Sequence, residues 1–298
     1  MTELLRIAPE VQQALHESGP VVALETTLVA HGFPPGVGVE VAQAAEAAVR
    51  SEMAVAATVG VLDGEVVVGL DSGELERFGE AGADARKAGP RDLASCVTTG
   101  ELGATTVGGT LAAARLAGIR FMGTGGIGGV HRGFAERPDV SADLAQLART
   151  PALVVSSGIK SLLDVPATAE LLETLGVPVL GYRTTELPLF YSAGGGPPVS
   201  ARVDDPGQAA RTARAHWQLG GAALLLARDP DDGVDVELLV QEALAAAATQ
   251  GVYGQDVTPF VLSFLQERSG GRALAVNRDL VIENAALAAE VAVAFAAT

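Results

Sequence analysis

AVAATVGVLDGEVVVGL, residues 54–70, consists of two runs of small and β-branched residues parted by Asp63-Gly64. Asp-Gly readily supplies the positive φ angles of a two-residue hairpin, so the stretch predicts two antiparallel strands. Everything around it alternates differently. VVALETT (21–27), IRFMG (119–123), ALVVSS (152–157), VPVLGYRT (177–184) and AALLLAR (222–228) read as buried strands. Between them lie helical patterns: an opening helix over about 3–17, then EVAQAAEAAVRSE, SGELERFGE, ATTVGGTLAAARLAG, SADLAQLAR, one or two helices over 160–176, and DPGQAARTARAHWQLG. Three further helical segments close the chain, and KAGPRDLASCV (87–97) is mixed. One hairpin in an otherwise strand–helix order predicts a three-layer α/β/α sandwich around a mixed, largely parallel sheet. No repeat or composition break divides the chain, so residues 1–298 read as a single domain.

Hydrophobic residues make up 48% and aromatics only 4%, which predicts a core of small aliphatics. Twenty basic residues against 36 acidic ones leave a formal net charge of −16, which argues against binding a nucleic-acid backbone. An anionic ligand would need a local cluster of cations. Cys96 is the sole cysteine, excluding an intrachain disulfide and a thiolate zinc site. No run of 18 residues lacks polar interruption, and the first residues carry no basic-then-apolar signal, so the expectation is a cytoplasmic enzyme away from membranes.

Four polar features sit where an apolar scaffold would not put them. Glu25 ends an apolar strand, where it either pairs at the sheet edge or serves as a buried acid with a raised pKa. GTGGIGGVHRG (123–133) contains G-x-G-x-x-G at Gly123, Gly125 and Gly128, but VHRGFAERPDVS behind it lacks the helix that holds a pyrophosphate. The glycines there read as close backbone approach to a small ligand or a tight loop, with His131 and Arg132 reaching toward the site. In RPDVSADL, Ser141 is a natural N-cap and Asp143 suits the first helical turn; Asp139 is either an exposed loop acid or a carboxylate for a hard divalent ion. DPDDGVD (229–235) is read as a solvated loop. Lys160, in PALVVSSGIKSLLDVP (151–166), follows a buried strand where a helix is expected to begin. It is either a solvent-facing lysine or a partly desolvated amine able to form a Schiff base.

ALETTLVAHGFP, GATTVGGTLAAARLAGI, GTGGIGGVHRG, DVSADL, SSGIKSLLD, GVYGQDVTPFVL and NRDLVIENAALAAEVA, in this order, closely resemble the pseudouridine-5′-phosphate glycosidase family, also called indigoidine synthase A-like. The resemblance spans nearly the whole chain. It implies cleavage of the C–C glycosidic bond of pseudouridine 5′-phosphate to uracil and ribose 5-phosphate, a homotrimer, and Mn²⁺ or another divalent cation. Position by position it implies Lys160 as the Schiff-base lysine and Glu25 as proton donor. It further implies Lys87 at the phosphate, a backbone contact at Val107, substrate contacts at Ser141, Ala142 and Asp143, His131 and Asn277 near the base, and Asp139 at the metal. One departure is Gly89-Pro90 before Arg91-Asp92, where the family often has Ser-Arg. The scarcity of aromatics suggests a base read by its polar edges. Two other functions fit the same residues: another Schiff-base lyase acting on a sugar phosphate, and a sugar-phosphate-binding protein without turnover.

Overall fold

A computed structural model describes residues 4–136 and 138–297, with Gln255 by its backbone alone. The chain runs through β1 (Leu5–Ile7), α1 (Pro9–His16), β2 (Val21–Glu25), α2 (Val37–Ser51), the hairpin β3 (Val55–Leu62) and β4 (Glu65–Val68), and α3 (Ser72–Ala81). It continues with β5 (Arg86–Ala88), α4 (Leu93–Thr99), β6 (Gly103–Thr105), α5 (Val107–Ala117), β7 (Phe121–Gly123), α6 (Ala142–Leu147), β8 (Leu153–Ser156) and α7 (Val165–Thr174). The last part holds β9 (Val179–Tyr182), β10 (Glu186–Pro188), β11 (Gly195–Pro198), β12 (Ala201–Val203), α8 (Pro206–Gln218) and β13 (Leu224–Arg228). Three helices finish it: α9 (Glu237–Thr249), α10 (Val257–Arg268) and α11 (Arg272–Ala296).

The main sheet has the order β1-β4-β3-β2-β7-β8-β13-β9-β12, with β6 also on β3 and β5 on β6. Only β3–β4 and β3–β6 are antiparallel. Asp63 (φ 53°) and Gly64 (φ 82°) supply the two positive φ angles of the hairpin turn. Each central strand is apolar on both faces, as a sheet covered by helices on both sides requires. On β2, Val22 and Leu24 join the core of α2, α8 and α11, whereas Val21 and Ala23 join that of α1, α5, α6 and α7. Small residues let the layers approach closely: a Cβ on Gly123 would lie 2.7 Å from the backbone of Ala285 in α11.

Three local readings are corrected. The opening helix is shorter than 3–17: Leu5–Ile7 pairs parallel with β4, the helix spans Pro9–His16, and Glu3 lies outside the described residues. SAGGGPP (192–198), whose glycines and prolines read as a loop, is not all loop, because Gly195–Pro198 pairs antiparallel with Glu186–Pro188. No helix begins at Lys160; α7 starts at Val165, capped by Asp164, whose carboxylate accepts the Ala167 N–H at 3.0 Å. Among the described residues no helix is long and apolar enough to cross a membrane.

Candidate active site

The strand order reverses at β2. From there the chain moves to β3 on one side and returns later to β7 on the other, both parallel to it. Ligand sites of open parallel sheets form at such a reversal, beyond the strands' carboxyl ends. Glu25 ends β2 there, and the Thr124 hydroxyl, just past β7, donates a hydrogen bond to its carboxylate. Glu25 is 4% exposed. Burial pushes its pKa above the ordinary carboxylate value, against the opposing pull of Lys160, the Thr124 hydrogen bond and Lys87. The carboxyl therefore holds its proton to higher pH than a surface glutamate.

Lys160 comes from the end of β8, on the far side of β7 from Glu25. After β8 the chain runs alongside the glycine-rich loop: Ser157 N–H donates to Gly125 O at 2.9 Å, Ile127 N–H to Gly158 O at 3.2 Å and Lys160 N–H to Ile127 O at 3.3 Å. Gly158 has φ 83°, and a Cβ there would lie 2.2 Å from the Pro188 carbonyl, so no other residue fits. From behind, the Arg132 guanidinium donates to Ser161 O at 2.7 Å and Leu163 O at 3.2 Å and pairs with Glu237. Arg132 thus holds the lysine's loop in place instead of reaching toward the ligand with His131. In sequence the two are neighbours; in the fold they face apart.

Glu25, Lys87, Lys160, His131, Asp139, Ser141, Ala142 and Asp143 line one cleft of about 580 Å³. Lys87 reaches it from β5, where burial and the Lys160 charge both lower its pKa. The Gly89-Pro90 turn behind Lys87 is closed by Asp92, whose carboxylate accepts the Gly89 N–H at 3.0 Å. Asp143, 5% exposed, accepts N–H groups from Gly108 at 2.8 Å and Gly128 at 2.9 Å. Its carboxylate ties the first turn of α5 to the glycine-rich loop. Ser141 caps α6 through the Asp143 N–H at 3.2 Å. Val107 is buried at the first position of α5, so only its backbone could meet a ligand. None of the glycines from 123 to 129 has positive φ. They are needed because Ala285, Phe190, Ser141, Asp143 and Thr168 crowd the positions a Cβ would take.

A second, largely apolar chamber opens from the same lysines. Lys87 and Lys160 share its walls with His31, Leu162, Phe190, Val261, Leu265 and Asn277. Asn277 is 3% exposed and its Oδ1 has no partner, a state that costs about 1–3 kcal/mol until something donates to it. His31 lies in a π-helical turn, Leu28–Gly32, and its Nε2 is likewise buried without a partner. Phe190 holds φ 66°, an outlying backbone for a bulky residue, with its ring against Gly126. An aromatic face is present after all, beside the polar edges expected to read the base.

Sequence reasoning missed His31, Phe190 and Asn284. Asn284 is fully buried on α11, and its Nδ2 donates to Thr124 O at 2.8 Å and Ser157 Oγ at 3.1 Å, joining the ends of β7 and β8. A signal existed, since Asn277 and Asn284 stand seven apart on one face of an apolar helix.

For a divalent metal, no group of three or more His, Cys, Asp or Glu side chains converges among the described residues. Asp139 lines the cleft close enough to His131 to act on its charge. That donor set fits a hard ion that keeps most of its own water, as Mg²⁺ and Mn²⁺ sites often do, and does not fit a protein-built cage.

Comparison with known proteins agrees across the whole fold. A pseudouridine-5′-phosphate glycosidase from Herpetosiphon aurantiacus is 48% identical over 99% of this chain and 98% of its own. One from Streptomyces griseus is 48% identical over 97% of this chain and 92% of its own. The crystal structure of a prealnumycin C-glycosynthase in complex with ribulose 5-phosphate superposes with a TM-score of 0.91 at 42% identity, covering 100% of this chain and 98% of that one. An indigoidine synthase A-like protein from Thermotoga maritima gives 0.87 at 36% identity, covering 97% and 96%. The family model for indigoidine synthase A-like proteins matches residues 10–294, and this chain belongs to that family.

Proposed function

We propose that the protein cleaves the C–C glycosidic bond of pseudouridine 5′-phosphate, releasing uracil and ribose 5-phosphate through an adduct on Lys160. The observation that carries this reading is one cleft in which a buried Glu25 with a raised pKa, at the carboxyl end of β2, meets Lys160 beyond β8 and Lys87 on β5. The names of the relatives favour the same substrate.

A uracil C5 carbanion is a poor leaving group, so direct hydrolysis is slow and covalent catalysis divides the work. Lys160 Nζ bonds C1′ as the C1′–O4′ bond breaks, and Glu25 delivers its proton to O4′. C5 then takes a proton as its bond to C1′ breaks, and the nitrogen lone pair forms the C=N bond that water hydrolyses. Lys87 and the Val107 backbone anchor the 5′-phosphate, whose negative charge favours the charged lysine that burial disfavours. That anchoring positions C1′ against Lys160. Ser141, Ala142 and Asp143 shape the ribose side, and Asn277 reads the base; His131, expected near the base, lines the polar cleft and not the chamber of Asn277, and is assigned to the ribose side instead. Asp139 would hold the divalent ion through one carboxylate oxygen; the ion supplies positive charge beside the anionic substrate. The same family resemblance is the ground for a cytoplasmic homotrimer of one-domain subunits.

The test mixes protein and Mn²⁺ with pseudouridine 5′-phosphate and follows uracil. Release that depends on both protein and substrate phosphate is expected; no release overturns the reading. The C-glycosynthase neighbour favours one second reading, formation of a C–C bond from a pentose phosphate and a different carbon acid. Failure to form pseudouridine 5′-phosphate from uracil and ribose 5-phosphate, with other carbon acids accepted, would select it.

A further inference from the structure

His31 is the one imidazole of the apolar chamber, and its two nitrogens are in opposite situations. Nε2 is buried and unpartnered, while the Ala85 backbone acts on the ring in the sense of an accepting carbonyl, raising its pKa against burial. With the ring proton on Nδ1, toward Ala85, Nε2 of the neutral ring is an acceptor. Burial and the Lys87 charge both oppose protonation of this ring. Asn277 Oδ1 is a second buried acceptor in the walls of the same chamber, also without a partner. The Phe190 ring and the side chains of Leu162, Val261 and Leu265 have no donor to give, and Thr27, Lys87, Lys160, Ser161, Tyr191 and Thr258, which share the walls, make no hydrogen bond to either atom.

Two lone pairs kept out of water call for two donors on a flat, partly apolar ligand. Uracil joined to ribose through C5 has two, N1–H and N3–H, on either side of its C2 carbonyl. Uracil joined through N1 keeps only N3–H. We propose that His31 Nε2 accepts one ring N–H of the base and Asn277 Oδ1 the other, so that the two acceptors together make the site specific for carbon-linked uracil. This rests on the proposed substrate and adds His31 as the second of the two acceptors that distinguish it from the nitrogen-linked isomer. His31 sits six residues beyond Glu25, so the turn that follows the acid's strand also presents the base reader.

The experiment compares wild type, His31→Asn and His31→Gln. Asparagine can reproduce the Nδ1 bond to Ala85 and lacks an atom at Nε2; glutamine can place its amide oxygen near Nε2. Substrates are pseudouridine 5′-phosphate and its 1-methyl and 3-methyl derivatives. With the parent substrate, His31→Asn should lower kcat/KM by about tenfold, the scale of one buried hydrogen bond, and His31→Gln should recover most of it. With one methylated substrate, whose N–H is already gone, wild type and His31→Asn should be equal; with the other the tenfold gap should persist. A loss of equal size on all three substrates, or no loss on the parent, overturns the assignment. Calorimetric titration with uracil, 1-methyluracil and 3-methyluracil reads the contact without turnover. If wild type binds uracil more tightly than His31→Asn does and yet releases none from the nucleotide, the proposed reaction fails while the His31 contact stands. Equal uracil binding by the two proteins, or none by wild type, overturns the contact.

Discussion

Glu25 and Asp143 are two buried carboxyl groups in the walls of one cleft, put to opposite uses by the elements that carry them. Asp143, in the first turn of α6, accepts two backbone N–H groups, and its lone pairs are committed to joining α5 to the glycine-rich loop. Glu25, at the end of β2, has only the Thr124 hydroxyl, and burial drives it toward its protonated form. The helix starts that ring this cleft build its frame: Thr106 and Ser141 cap their own helices, as Asp164 does behind Lys160. The strand ends do the chemistry. A carboxylate surrounded by backbone donors is a structural part, while a buried one given a single hydroxyl is a proton store.

The comparison breaks most visibly at Glu25. Glu25→Gln should fold with an unchanged circular dichroism spectrum and lose roughly 10² or more in kcat, the scale of a positioned acid. Near-normal turnover would make the strand end as structural as the helix starts. Asp143→Ala tests the other half, because it leaves two buried N–H groups unpaired. At about 1–3 kcal/mol for each, urea denaturation should show a loss of a few kcal/mol. Unchanged stability would mean that the clamp is not one.

A smaller effect sharpens the contrast through pH. A carboxyl whose pKa is raised by folding binds more protons in the native state than in the unfolded state, so its contribution is fully present below the unfolded value of 4.5 and is lost as pH rises through the folded one. Glu25→Gln has no such group. Its melting temperature should therefore gain on wild type as pH climbs from below 4.5 to past the folded pKa, and then level off. A gap that is flat with pH would contradict the raised pKa.

Much of this arrangement was legible in the chain because strong local signals and tertiary demands agreed. Asp63-Gly64 fixed the hairpin, and the apolar runs of 21–25, 153–156 and 224–228 could only be buried strands. Short edge elements were not legible. Leu5–Ile7 takes its conformation from pairing with β4, and Gly195–Pro198 is composed of residues that strands avoid. Among site residues, Glu25 and Lys160 stood out as charges at the ends of apolar runs. Arg132 misled because sequence adjacency to His131 says nothing about which way a side chain points where the chain enters a turn. His31 gave no signal, since its meaning lies in an orphaned Nε2 that only the folded chamber creates. Lys87 and Lys160 could not be ranked by residue type either. Burial disfavours the charge on Lys87 without marking it as the nucleophile, which has to be identified by chemistry.

Borohydride trapping during turnover of pseudouridine 5′-phosphate does so most directly. Reduction of the C=N adduct should add a pentose 5-phosphate to the peptide that carries Lys160, and Lys160→Ala should lose both the adduct and all but a trace of activity, about 10⁴-fold or more, as expected when a covalent nucleophile is removed. Lys87→Ala should still be trapped at Lys160, though more slowly because the phosphate anchor is weakened. An adduct on Lys87, or one that persists in Lys160→Ala, would contradict the account.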